Sequence, residues 1–220
     1  MNLRYKWTPF LAYGQRLELK KNTVVYRQGE DGKGFYYLDQ GSVKISTLSS
    51  NGFERVIDYV PVGTLLGEHG ACRGTYLTTA ITTAPTILYY FSDEALTRVC
   101  QDHPEAALLF SHSHIYKVRL LAEIIAYMDC SVEQQMAHFL LKLVDIHGKE
   151  TIPIDQASLA RYIGTSRITV NKVMQKWRKQ GLIRCGNSII YVLDTSRLKK
   201  LLPCTENECL NNQRSRRGHI

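Results

Sequence analysis

The chain has 220 residues, 44% of them hydrophobic and 22% charged; this excludes a disordered or collagen-like polypeptide and fits one or two domains. No stretch nears the ~18 uninterrupted apolar residues of a membrane span, and Met1-Asn2-Leu3-Arg4-Tyr5-Lys6-Trp7 has no apolar signal core behind its charges, so a cytoplasmic chain is expected. Residues 1–150 hold 15 Lys/Arg against 16 Asp/Glu (net −1), whereas 151–220 hold 13 against 4 (net +9), so a polyanion partner is expected on the C-terminal side only.

Ten of the fifteen glycines precede residue 75. Between them lie short β-branched and aromatic runs: Thr23-Val24-Val25-Tyr26, Gly34-Phe35-Tyr36-Tyr37-Leu38, Ser42-Val43-Lys44-Ile45-Ser46 and Arg55-Val56-Ile57-Asp58-Tyr59-Val60, then Thr86-Ile87-Leu88-Tyr89-Tyr90-Phe91. Strands punctuated every ~8–12 residues predict a small barrel or jelly roll over about 15–92. Asn51-Gly52 is a hairpin signal between two of them. Ser92 is positioned to cap a helix with Ala95, Leu96 and Val99 on one face. After Pro104, Val118, Leu121, Ile125 and Met128 recur at steps of 3, 4 and 3, a seam that predicts a dimer helix. Leu120, Ile124 and Ala126 widen that apolar surface, so the helix must cover its own domain and something else. A further helix starts near Val132, with Met136, Phe139, Leu140, Leu143 and Val144 on one face, and stops at Gly148.

Residues 155–181 carry the functional reading. Asp155 caps a short helix over Gln156–Ile163, Gly164 turns the chain, and Ser166 caps a second helix that runs to Lys179 before Gly181. Leu159, Ala160 and Ile163 face inward, as do Val170, Val173, Met174 and Trp177. Arg167, Ile168, Asn171, Lys172, Gln175 and Arg178 face outward. A small residue at the helix contact, a glycine turn and a β-branched anchor make a helix-turn-helix, whose second helix fits a ~12 Å major groove. Leu182-Ile183-Arg184 and Ser188-Ile189-Ile190-Tyr191-Val192, around Gly186-Asn187, predict a hairpin wing with Arg184 near phosphate. No Walker loop, GxSxG, HExxH or CxxC is present, so no enzyme is expected.

The segment Leu159-Ala160-Arg161-Tyr162-Ile163-Gly164-Thr165-Ser166-Arg167-Ile168-Thr169-Val170-Asn171-Lys172-Val173 resembles the DNA-binding domain of the Crp/Fnr family. Val25–Glu30, Tyr36–Lys44 and Gly63–Glu68 resemble that family's cyclic-nucleotide-binding-type β-roll. The resemblance covers residues 20–202. It implies an α+β fold in four parts: a sensor β-roll (1–103), a dimerisation helix (104–128), a C-terminal winged helix-turn-helix (129–202) and a basic, disordered tail (203–220). It further implies a homodimer on a palindromic double-stranded operator, with RNA polymerase as a partner. Base readout falls to Arg167, Ile168 and Lys172, with Arg167 suited to guanine and Ile168 to a thymine methyl. Thr165, Ser166, Thr169 and Asn171 fall at phosphate-contact positions.

The resemblance sets the effector pocket at Gly67, Glu68, His69, Tyr76, Leu77, Thr78, Leu120 and Leu121. Members that bind cAMP hold it with a Gly-Glu pair and an arginine-serine pair. Gly67 and Glu68 keep the first pair, but Tyr76 and Leu77 stand at the second, so the phosphate would lack its cation. An effector other than cAMP is therefore expected, with an apolar or carboxylate ligand fitting the pocket. A redox- or haem-responsive member is the alternative. Against an iron–sulfur cluster, the first 71 residues hold no cysteine, and Cys204 and Cys209 are a lone CxxxxC; Cys72, Cys100, Cys130 and Cys185 are scattered. For haem, His69, His112 and His114 are the conceivable ligands, and no shared metal site is expected.

Overall fold

The computed structural model describes residues 3–50, 52–186 and 188–203. Asn51, Asn187 and the tail from Cys204, including Cys209 and the Arg214–Arg217 cluster, lie outside them. The chain forms two compact units, Met1–Ile125 and Ala126–Ile220.

The first unit is a two-sheet β-roll. One antiparallel sheet runs β1 (Gln15–Leu19), β8 (Thr86–Ser92), β3 (Gly34–Gln40), β6 (Leu65–Leu66); the other runs β2 (Val24–Tyr26), β7 (Thr79–Thr82), β4 (Val43–Leu48), β5 (Glu54–Val60). All five expected runs are strands. Three further strands lie outside those runs. β1 is an edge strand that does alternate, with Leu17 and Leu19 packed inward between Arg16 and Glu18, but it lacks the β-branched and aromatic residues of the five runs. β6 has two residues. β7 relies on small residues and threonine hydroxyls, with Thr82 Oγ1 donating to Lys20 O at 2.7 Å.

Alternation in β3 splits the core in two. Phe35 and Tyr37 join Trp7, Phe10, Phe91, Ala95 and Val99 in one cluster, where Trp7 meets Phe10, Phe35 and Phe91 edge-on at 5.1–5.8 Å. Leu38 joins Tyr26, Val43, Leu66, Tyr76 and Leu88 in the other. Trp7 and Phe10 sit in and beside a 3₁₀ turn (Thr8–Tyr13) that the sequence pattern does not announce. Helix α1 (Asp93–Asp102) starts where Ser92 Oγ accepts from Ala95 N, with Ala95 and Val99 buried. Helix α2 (Glu105–Met128) follows Pro104.

The second unit packs α3 (Val132–His147), α4 (Gln156–Ile163) and α5 (Arg167–Lys179) around Met136, Leu140, Leu159, Val170 and Trp177. Ser131 and Gln134 close a reciprocal cap at the start of α3, and Gly148 ends it at φ +61°. The Phe139 and Tyr162 rings stack at 3.5 Å. Beyond the expected hairpin of β10 (Ile183–Gly186) and β11 (Ile189–Val192), a third strand, β9 (Thr151–Ile152), pairs with β11. A short α6 (Thr195–Lys199), capped by Asp194, buries Leu198. No helix among the described residues is long and apolar enough to cross a membrane.

Candidate DNA-reading helix and effector pocket

Local chemistry fixes the α4–α5 corner. Asp155 accepts from Ser158 N at 2.6 Å at the start of α4. Gly164 takes φ +79°, where a side chain would be strained, and the Gly164 and Thr165 amides both return to Ala160 O. Ser166 Oγ accepts from Thr169 N at 3.1 Å and lies 2.9 Å from Thr169 Oγ1. Helix α5 therefore starts at Arg167. Its buried stripe is Val170, Met174 and Trp177.

The opposite face is open. Ser166, Arg167, Ile168 and Lys172 are exposed, Ile168 to 71%; Thr165, Thr169 and Asn171 are half-buried. An aliphatic side chain so exposed has no packing role in its own unit. Arg167 also borders a groove of about 450 Å³ with Asp155 and the wing residues Gly186 and Ser188. The first residue of α5 and the wing thus share one surface. Arg184, on the wing, lies over the Tyr191 ring at 4.5 Å and has no ion-pair partner among the described residues.

Glu133 is a residue that pattern reading missed. Its carboxylate accepts from Trp177 Nε1 at 2.8 Å and Lys176 Nζ at 2.7 Å, tying the start of α3 to the recognition-type helix. Burial pushes its pKa up, but these two donors more than compensate and hold it below the usual carboxylate range.

In the first unit Gly67 adopts φ +76°, and a Cβ there would meet the Tyr26 ring at 2.9 Å. This turn delivers Glu68 into the interior, where it is 5% exposed. Its Oε1 accepts a short hydrogen bond from Ser113 and lies 3.4 Å from Lys117 Nζ, both on α2; Lys117 Nζ also donates to Leu65 O at 2.8 Å. Burial pushes the Glu68 pKa up, but the Lys117 charge and the Ser113 hydroxyl outweigh it, and the net shift is downward.

Of the other expected pocket positions, His69, Tyr76, Leu77 and Thr78 lie together, whereas Leu120 and Leu121 part. Tyr76 is 5% exposed, stacked on Tyr26 at 4.2 Å, with its hydroxyl donating to Gly34 O at 2.9 Å. Leu77 is 64% exposed. His69 Nε2 lies 3.2 Å from Thr78 Oγ1, its Nδ1 accepts from Leu77 N at 3.4 Å, and burial lowers its pKa. Leu120 is buried but Leu121 is 45% exposed, so the two cannot face one pocket: adjacent helical residues point about 100° apart. A cleft of about 550 Å³ does open in the roll, but of the expected positions only Tyr76 borders it. Along α2, Val118 (65%), Ile125 (64%) and Met128 (50%) join Leu121 as an exposed apolar seam.

Lys117→Met should leave Glu68 charged, buried and unpaired. The expected cost is about 3–5 kcal/mol at neutral pH, read in urea unfolding, with most of it recovered in the Lys117→Met/Glu68→Gln double variant. The sign with pH follows. In the parent, the lowered Glu68 pKa contributes stability above the carboxylate range, lost as pH falls through that lowered value. In Lys117→Met the largest lowering influence on Glu68 is gone, so less stability should be lost on acidification than in the parent. An unchanged unfolding midpoint would show that the pair carries no stability.

A β-roll followed by a long helix and a winged helix-turn-helix defines a class: regulators that couple a sensor module to a DNA-binding module. Two family models match, "Cyclic nucleotide-binding domain" over residues 16–103 and "Crp-like helix-turn-helix domain" over 134–201. The chain is 25% identical over 197 residues to the Cyclic AMP receptor protein of Thermus thermophilus, covering 87% of this chain and 89% of that one. Two solved structures share the fold. The c-di-GMP responsive global regulator CLP of Xanthomonas campestris has a TM-score of 0.76 at 22% identity, covering 86% of this chain and 98% of that one. FixK2 of Bradyrhizobium japonicum has 0.77 at 16%, covering 87% and 98%. The chain belongs to the Crp/Fnr family of transcription regulators.

Proposed function

We propose that this regulator works as a homodimer that reads a palindromic duplex operator through α5, and that its β-roll answers to an effector other than cAMP. The observation that carries the DNA reading is the open face of α5, where Arg167, Ile168 and Lys172 stand exposed above a buried Val170–Met174–Trp177 stripe. Arg167 is assigned to guanine, Ile168 to a thymine methyl and Lys172 to the third base-reading position, with Arg184, Thr165, Ser166, Thr169 and Asn171 assigned to the phosphate backbone. The exposed Val118–Leu121–Ile125–Met128 seam is the proposed subunit contact. RNA polymerase is the expected partner at the promoter.

The Thermus relative is by name a cAMP receptor, yet the residues here do not fit a cyclic phosphate. Tyr76 stands where the resemblance expects an arginine, and its ring is stacked inside the roll. Glu68, the expected ribose ligand, is already engaged by Lys117 and Ser113. The cation beside Glu68, Lys117, is already shared between Glu68 and Leu65 O, and a phosphate buried without a cation of its own is costly. Weighing against the redox or haem alternative at these residues, burial pushes the Cys100 and Cys185 thiols up, and both His69 ring nitrogens are engaged. Calorimetric titration with cAMP, paired with operator binding with and without it, tests the effector reading. No heat and no affinity change are expected; saturable micromolar binding would overturn it.

A further inference from the structure

The cleft of about 550 Å³ in the β-roll is walled by tyrosines. Tyr36 and Tyr90, half-buried, meet at 5.3 Å and 48°, with Tyr26 and Tyr76 stacked beneath. It is lined by neither Gly67 nor Glu68, but it adjoins the site the family resemblance points to: Tyr76 borders both, and the Tyr26 and Tyr36 rings lie against Gly67.

Two of the hydroxyl protons, those of Tyr76 and Tyr90, are committed to the protein. Tyr90 Oη donates to Lys33 O at 2.7 Å, Tyr76 Oη to Gly34 O at 2.9 Å, and Tyr36 Oη is turned to Val25 O at 3.5 Å. Tyr26 and Tyr76 are buried against each other, so the ring faces and oxygen lone pairs left for a ligand are chiefly those of half-buried Tyr36 and Tyr90. At the rim, Glu30 is engaged by the Arg27 amide at 2.9 Å and its guanidinium at 3.8 Å. The Asp31 carboxylate has no hydrogen-bond or ion-pair partner among the described residues. A wall of π faces and phenol oxygens beside a free carboxylate is complementary to positive charge on an apolar body. Lys33, also on the rim, is the one cationic side chain bordering the cleft among the described residues and works against such a ligand.

We propose that this tyrosine-walled cleft binds a small organic ammonium ion, and that this ion is the roll's effector. The second half rests on the reading of the roll as a sensor of something other than cAMP; the first half does not. Occupancy would wedge β1 and β8 against the Val25–Lys33 segment, and so act on Tyr76 and the stack above Gly67.

The test is calorimetric titration of the full-length protein with choline and with 3,3-dimethylbutan-1-ol, its uncharged counterpart of similar shape. Choline is expected to bind about 2- to 30-fold tighter than the alcohol, the range cation–π contacts supply. Tyr90→Leu should remove that margin. Asp31→Asn, at an exposed position whose backbone bridge to Thr75 the substitution leaves in place, should weaken choline and flatten its salt dependence. Lys33→Ala should strengthen it. Equal binding of choline and the alcohol, no saturable binding of choline, or choline affinity indifferent to all three substitutions overturns the site. Operator affinity is measured on the same samples. If choline binds but operator affinity stays fixed, the cleft stands as an ammonium site and its effector role falls.

Discussion

Arg167→Ala is expected to weaken binding to the specific operator by about 1–3 kcal/mol, roughly 5- to 150-fold, while leaving affinity for random duplex nearly unchanged. The expectation follows from placement. Arg167 is the first residue of α5, held there by the Ser166 cap, exposed, and on the same groove as the wing. A guanidinium fork at that point matches the O6 and N7 acceptors of guanine in the major groove. Arg167→Lys separates the fork from the charge: specific affinity should fall while the slope of affinity against salt is kept. Lys172→Ala should behave differently if its ammonium meets phosphate, lowering specific and random binding together and reducing the salt slope by about one. An equal loss on both duplexes for Arg167→Ala would show that this residue, too, contacts only the backbone.

The second large effect is expected from the α2 seam. Leu121→Glu with Ile125→Glu places two charges on side chains that are 45% and 64% exposed, so the fold of either unit should survive. Four large apolar residues in a row on one helix face are unfavourable in water unless something covers them. A second copy of the helix, in register at a and d positions, would do so. The double variant should sediment as a monomer at concentrations where the parent is a dimer. Its operator affinity should fall on the order of 100-fold or more, because the second half-site is no longer held at high effective concentration. A variant that still sediments as a dimer would place the subunit contact elsewhere.

How legible these features were in the chain depended on the range of the interactions behind them. The helix-turn-helix was readable nearly residue by residue, because caps at Asp155 and Ser166, the Gly164 turn and the inward stripe of α5 are local devices. The five long strands were readable for the same reason. The seam on α2 was readable from its 3-4-3 spacing, and its exposure matches that spacing. Residues whose roles depend on distant partners were not. Glu133 reads as a solvated helix-start glutamate until Trp177, 44 positions away, is packed against it. Ser113 and Lys117 carry no pattern of their own, and only the fold brings them to Glu68. The same limit explains the pocket. Aligning positions with a family located Tyr76 and Leu77 in sequence, but not that one would stack on Tyr26 while the other turned to solvent. The tyrosine cleft assembles β1, β3, β8 and the Val25–Lys33 segment, and no spacing rule joins them.

Selection of bound sequences from a random duplex pool, followed by footprinting of the winners, bears most directly on whether α5 reads DNA in a symmetric dimer. The expected result is an inverted repeat whose half-site centres lie one helical turn or a multiple of it apart, about 34 Å per turn. Arg167→Ala should relax one guanine in each half, and Ile168→Glu should change the preferred base beside it. A pool that yields no enriched motif, or a motif without two-fold symmetry whose recovery is indifferent to Arg167, would contradict the account.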